Sequence, residues 1–243
     1  MAARSAIEWT DATWNPVSGC TKISPGCDNC YAERIAERFR GVPNHPFEHG
    51  FDLTLRHHKL REPLSWQRPR RIFVNSMSDL FHKKIPLAFV SEVFDTMEQA
   101  HWHVFQILTK RSSLLRRFIN DRYRDGRAPP HIWLGVSVED RRALVRLRHL
   151  ADSKATIRFA SFEPLLEDLG TLDLAGIHWA IAGGESGPKA RLVDPDWIRS
   201  IRDQCRAADV AFFFKQWGGL TSKSRGNSLD GRRWLQYPEL AAG

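Results

Sequence analysis

Cysteine, tyrosine and methionine are scarce in this 243-residue chain, which carries four, three and three of them. Three of the four cysteines crowd together, so they cannot form the spread framework of a disulfide-built secreted domain. No apolar run approaches the roughly 20 residues of a membrane-spanning helix, and the opening "MAARSAIEWTDATWN" has no apolar signal core. These absences predict a soluble, cytoplasmic protein with no membrane partner. The patterns G-x4-G-K-[ST], G-x-S-x-G and H-E-x-x-H are also missing, which removes support for a P-loop nucleotidase, a serine hydrolase or a zinc protease. With no low-complexity linker and no internal repeat, the chain reads as a single domain over 1–243.

What is abundant is positive charge. Lys and Arg number 36 against 28 Asp and Glu, a net charge of +8, and nine Trp are interleaved with them. A basic surface with aromatic rings suits DNA or RNA, because the cations displace phosphate counterions and the rings stack on bases. The same charge also serves a basic, soluble surface with no such partner.

Short apolar runs recur, each followed by helical spacing. Strands are expected after an entry at 11–19, at 70–77, 103–109, 131–138, 157–162, 178–184 and 210–216. Their continuous apolar character predicts a parallel sheet covered on both faces. Helices are expected at 28–40, 86–100, 112–121, 139–151 and 195–208, with a short one at 165–170. The alternation predicts an α/β fold, a partial TIM-type (βα)6 barrel with a seventh strand. Residues 41–69, rich in Pro, His and Arg, read as an insertion after the first helix, and 218–243 as a C-terminal extension.

In such a barrel the chemistry gathers at the carboxyl ends of the strands. Those ends carry Cys20, Cys27 and Cys30; Asn75, Ser76, Ser78 and Asp79; Thr109, Lys110 and Arg111; Ser137 and Glu139; Ser161 and Glu163; Gly183, Gly184, Glu185 and Ser186; and Lys215, Gln216 and Trp217. Glu163 precedes a proline, which disfavours helix there and fixes it at a strand end. Glu163, Lys110 and Lys215 are the candidate catalytic residues, with Arg111 beside Lys110 suited to a substrate phosphate or carboxylate. Each also has an ordinary reading as loop or surface charge, and Glu139 as a helix-start carboxylate.

The cysteines divide three and one. "SGCTKISPGCDNCYAERIAERF" (18–39) carries Cys20, Cys27 and Cys30 in the spacing C-x6-C-x2-C, while Cys205 lies far away. A C-x2-C pair lets two thiolates bite one metal or cluster, and the longer loop through Gly19, Pro25 and Gly26 can bring the third round. Ile198, Ile201, Cys205 and Ala208 fall on one helical stripe, which makes Cys205 a core residue. A closed zinc site would take its fourth ligand from His45, His49, His57 or His58, whereas a three-thiolate 4Fe-4S cluster leaves one iron open to an outside ligand. Spacing alone leaves three readings: a catalytic cluster, a structural or sensing cluster, and a zinc-stabilised nucleic-acid-binding protein.

On these residues the chain resembles the radical S-adenosylmethionine superfamily, in which a three-cysteine loop follows the first strand of a partial barrel and runs into the first helix. "EWTDATWNPVSGCTKISPGCDNCYAER" and the later "GGESG" also resemble a family of phage and bacterial proteins of unassigned activity, akin to DNA-repair lyases of the spore-photoproduct type. The resemblance implies that Cys20, Cys27 and Cys30 ligate a 4Fe-4S cluster and that S-adenosylmethionine chelates its open iron. It further implies an external electron donor, a 5′-deoxyadenosyl radical, and a nucleic acid or nucleotide-like substrate, in DNA modification or repair.

Cofactor contacts are implied for Asn29 and Tyr31, which flank Cys30, and for Ser76, Ser78 and Asp79, where the superfamily commonly has Gly-Gly-Glu. They are implied too for Ser137 and Glu139, toward the ribose, and for this sequence's own Gly183, Gly184 and Glu185. The superfamily's commonest spacing is C-x3-C-x2-C with an aromatic before the third cysteine. The six-residue gap and Asn29 depart from that pattern.

Overall fold

The expected strands form one sheet in the computed structural model, which describes residue 5, residues 7–221 and residues 224–239. They are β1 (Ala12–Trp14), β2 (Arg71–Val74), β3 (Val104–Thr109), β4 (Ile132–Ser137), β5 (Ile157–Phe162), β6 (Trp179–Gly183) and β7 (Ala211–Gln216). All pairings are parallel and the spatial order follows the chain, giving a curled half-barrel with β1 and β7 at its edges. The crossovers carry α1 (Tyr31–Glu37), α2 (Leu87–Gln99), α3 (Ser112–Arg122), α4 (Val145–Ala151) and α5 (Pro195–Ala207).

The strands' period of two sorts their side chains between two layers. Ile72, Phe105, Leu134, Phe162, Ala180 and Phe212 face the helices in one large core, which includes Cys205. Phe73, Trp133, Phe159, Trp179, Ile181 and Phe213 turn the other way and fill the concave side with Trp9. Trp179 is central, edge-on to Trp9, Trp133 and Phe213 and stacked on Tyr237 at 5.2 Å. Both faces are therefore covered, which is why the strands read as continuous apolar runs. Gly135 makes room for this plug: a Cβ there would stand 2.4 Å from the Phe159 ring.

The insertion at 41–69 lies against β1. Val17–Ser18 pairs antiparallel with Thr54–Leu55, Trp14 Nε1 donates to the Lys59 carbonyl at 2.8 Å, and Leu60 and Trp66 join the large core. The extension from 218 places Trp234 against Phe212 and Tyr237 against Trp179, while its residues 222–223 and 240–243 lie outside the described residues.

Local expectations change at three places. No helix forms at 165–170, because the Leu165 and Leu166 amides donate instead to the carbonyls of Gly183 and Glu139, each at 3.0 Å. The helix expected at 28–40 contracts to α1, since Asp28 to Cys30 are occupied by a turn that binds the barrel. The helix expected at 139–151 starts as a 3-10 turn at Arg141–Leu144, with Asp140 rather than Glu139 capping it through Ala143 N.

Candidate active site

The alternation that fills the concave side with rings continues to the carboxyl ends of the strands and there turns polar. Lys110 follows Leu108 by two residues, Ser137 follows Gly135, Ser161 and Glu163 follow Phe159, and Lys215 follows Phe213. With Cys27, Asn29, Cys30 and Tyr31 from the cysteine loop, and Gly184 and Glu185 after β6, these residues line one cavity of about 240 Å³. Ile7, Trp9, Phe73 and Leu108 add apolar lining.

Every carboxylate around this mouth has a cation. Glu163 Oε1 is 3.0 Å from Lys215 Nζ. Glu139, with no exposed surface, lies 3.0 Å from Lys110 Nζ and 2.5 Å from Arg146 Nη1, and accepts from Ser24 Oγ at 2.6 Å. Burial alone would raise its pKa, but Lys110 and Arg146 overcome that and hold it below the ordinary glutamate value. Glu185 is likewise lowered against its burial, by hydrogen bonds from Arg191 and Asn29.

Asp79 accepts from Thr109 Oγ1 at 2.6 Å and from Arg111 Nη1 at 2.8 Å. Arg111 also donates to Cys20 Sγ at 3.5 Å and to the Thr21 carbonyl at 3.0 Å.

The cysteine loop is tied down at several points. Gly26 allows a close approach to Glu139, since a Cβ there would stand 2.5 Å from its Oε1. Tyr31 is partly exposed, yet its hydroxyl is tucked against the Ser76 carbonyl at 2.6 Å, and burial there with Cys30 and Glu163 nearby pushes its pKa up. Burial also raises the thiols of Cys20, against the Arg111 charge, and of Cys30. Both shifts favour the neutral thiol.

The structure thus brings Cys27, Asn29, Cys30, Tyr31, Lys110, Ser137, Glu163, Gly184, Glu185 and Lys215 to one cavity. Gly183 and Glu139 stand directly behind it, against Glu163 and Gly26 respectively. Ser76, Ser78 and Asp79 are outside that lining: Ser76 Oγ donates to Asn15 Oδ1, Ser78 Oγ to the Gly19 carbonyl, and Asp79 is taken up by Arg111. Trp217 also lies outside it, packed edge-on against Phe214.

Of the insertion's histidines, His45 stacks on Phe39 at 3.9 Å and His57 meets the edge of Phe89, and neither lines the cavity. Arg146, Arg191, Ser24 and Trp9 escaped the sequence reading. Arginine is too common here for two to stand out, and Trp9 precedes the first strand.

As donors, three half-buried thiols on one loop suit an iron-sulfur cluster. Cys27 and Cys30 face the cavity, while Cys20 is turned to Arg111; among the described residues no three ligating side chains converge on one point. To meet the other two, Cys20 would have to leave that guanidinium.

A parallel half-barrel with a cysteine loop at its carboxyl-end cavity is the class of protein that fold and site define. Within it, the family model described as "Protein of unknown function (DUF5131)" matches residues 4–238, and the chain belongs to that family. A search of the curated proteins finds no match.

Two solved structures are similar. One is spore photoproduct lyase complexed with dinucleoside spore photoproduct, at 11% identity and a TM-score of 0.45. The other is a double mutant of that lyase with bound AdoMet and the same dinucleoside, at 11% identity and 0.47. Each comparison covers 84% of this chain, which spans only 63% of the other. Among the described residues, no helix is long and apolar enough to cross a membrane.

Proposed function

We propose that this chain is a radical S-adenosylmethionine enzyme acting on a nucleic acid or nucleotide-like substrate, in DNA modification or repair. The observation that carries the reading is that Cys27 and Cys30 open onto the cavity that also presents Lys110, Glu163 and Lys215. Cys20, Cys27 and Cys30 would hold a 4Fe-4S cluster, with S-adenosylmethionine at its open iron. When bound, that pair supplies one-electron cleavage of a carbon-sulfur bond, fed by an external donor, and a carbon-centred radical for hydrogen abstraction.

The chain's own residues bind and orient. Ile7, Trp9, Phe73 and Leu108 give the cavity an apolar side that excludes water and accepts a planar ring. Lys110 and Lys215 each sit 3.0 Å from a carboxylate, so an anionic substrate group can share or displace those contacts. Ser137 and Ser161 add hydroxyl donors, and Glu163 accepts from a substrate hydroxyl or ring N–H.

The test is anaerobic reconstitution with iron and sulfide, for the parent chain and for each of Cys20→Ala, Cys27→Ala and Cys30→Ala. About four irons per chain are expected, with most lost in every variant while the fold survives. One tightly held zinc and no iron would contradict the reading.

A further inference from the structure

The Glu185 side chain is already saturated with partners from its own protein. Its Oε2 accepts from Asn29 Nδ2 at 2.9 Å, from the Arg191 main-chain N at 3.0 Å and from Arg191 Nε at 2.9 Å. Its Oε1 accepts from Arg191 Nη2 at 2.6 Å. A carboxylate has about four lone-pair sites, and Glu185 is only 6% exposed, so little remains for a ligand.

Arg191 then reaches the cysteine loop. Its Nη2 donates to the Pro25 carbonyl at 2.9 Å, and its Nη1 lies 3.6 Å from Asp28 Oδ2. Asn29 Nδ2 also donates to the Lys189 carbonyl at 2.9 Å. Residues 185–191 therefore grip the loop on both sides of Cys27 and immediately before Cys30. The loop has little internal structure of its own here, one 3-10 turn at Pro25–Cys27 ahead of α1.

We infer that Glu185 and Arg191 are positioning residues, a half-buried ion pair that latches the cysteine loop to the end of β6 and sets how Cys27 and Cys30 present their thiols to the cavity. Arginine suits the task because its planar fork meets both carboxylate oxygens and keeps a donor for Pro25. Asn29 is accounted for as well, since its amide supplies two donors that an aromatic ring lacks. Only the iron readout below rests on the proposed function; the thiol readout stands without it.

The test uses the full chain, metal-free and reduced, as parent, Arg191→Met, Glu185→Gln and Arg191→Lys. Iodoacetamide alkylation of each cysteine is followed by peptide mass spectrometry. Arg191→Met and Glu185→Gln should speed alkylation of Cys27 and Cys30 by about tenfold, the size of one lost charge-assisted hydrogen bond. Cys20, held by Arg111 and Thr21 rather than by the latch, should not change, and Cys205 should stay protected. Arg191→Lys, which keeps the charge and loses the fork, should recover part of the effect.

After reconstitution, both disrupting variants should lose iron to a chelator faster than the parent. Unchanged rates at Cys27 and Cys30 would overturn the latch, and so would a parallel rise at all four cysteines, which reports a loosened fold. A parent that takes up no iron counts against the proposed function and leaves the alkylation result to decide the latch.

Discussion

Lys215 on β7 and Glu163 after β5 meet at 3.0 Å across the end of β6, and they can do so because β6 ends in Gly183. A Cβ at Gly183 would stand 2.7 Å from Glu163 Oε1. The pair is enclosed enough that removing one partner strands the other, at a cost of about 1–3 kcal/mol. Lys215→Met should lower stability to chemical denaturation by that order. Adding Glu163→Gln should return part of it, a positive coupling in a double-mutant cycle. Strictly additive effects would mean that the two side chains do not interact.

Glu139 holds the cysteine loop through Ser24 and is itself held by Lys110 and Arg146. Its folded pKa lies below the ordinary 4.5. The stability it adds is thus present above that value and lost as pH falls through the folded one. Glu139→Gln leaves two cations unpaired and should cost about 3 kcal/mol at neutral pH. In thermal melts across acid pH, the gap to the parent should narrow below about pH 4.5. A gap that stays constant with pH would show that the carboxylate charge is not what holds the loop.

Cys205 has no exposed surface, and burial pushes its thiol up to about 12 from an ordinary 9.0. The neutral thiol is the form the fold keeps, so its contribution is intact below the ordinary value and fades as pH rises toward about 12. In the native protein Cys205 should resist alkylation through mildly alkaline pH, reacting only with added denaturant. Native alkylation at the rate of Cys30 would place it outside the core.

Gly135→Ala should destabilise the protein by about 1–3 kcal/mol, because the new methyl collides with the Phe159 ring inside the aromatic plug. Adding Phe159→Leu should relieve part of the loss, as read by denaturant midpoints. An unchanged midpoint in the single variant would mean that the plug is looser than its ring contacts indicate.

The sheet was legible because its strands are apolar on both faces, so each run stood out from the polar crossovers. The spacing marked three cysteines on one loop ahead of α1 but not what they hold, and Cys205 was legible from its helical stripe. Residues 165–170 misled because Leu165 and Leu169 fit helical spacing, yet the leucines fill the core from an irregular segment anchored to Gly183 and Glu139.

Partners were harder to read than positions. That Asp79 belongs to Arg111 and Glu185 to Arg191 depends on which cation the fold brings near, and nothing local marks Arg191 among so many arginines. The strand expected at 70–77 stops at Val74, so Ser78 and Asp79 follow a turn at 75–77, and their side chains support the loop rather than line the cavity.

The most direct measurement is S-adenosylmethionine turnover by the reconstituted chain under dithionite, with Cys27→Ala beside it. 5′-Deoxyadenosine and methionine are expected from the parent and neither from the variant. An iron-loaded parent that binds S-adenosylmethionine but leaves it intact with every reductant and nucleic acid offered, or a Cys27→Ala chain that still cleaves it, would rule out radical catalysis at this cysteine loop.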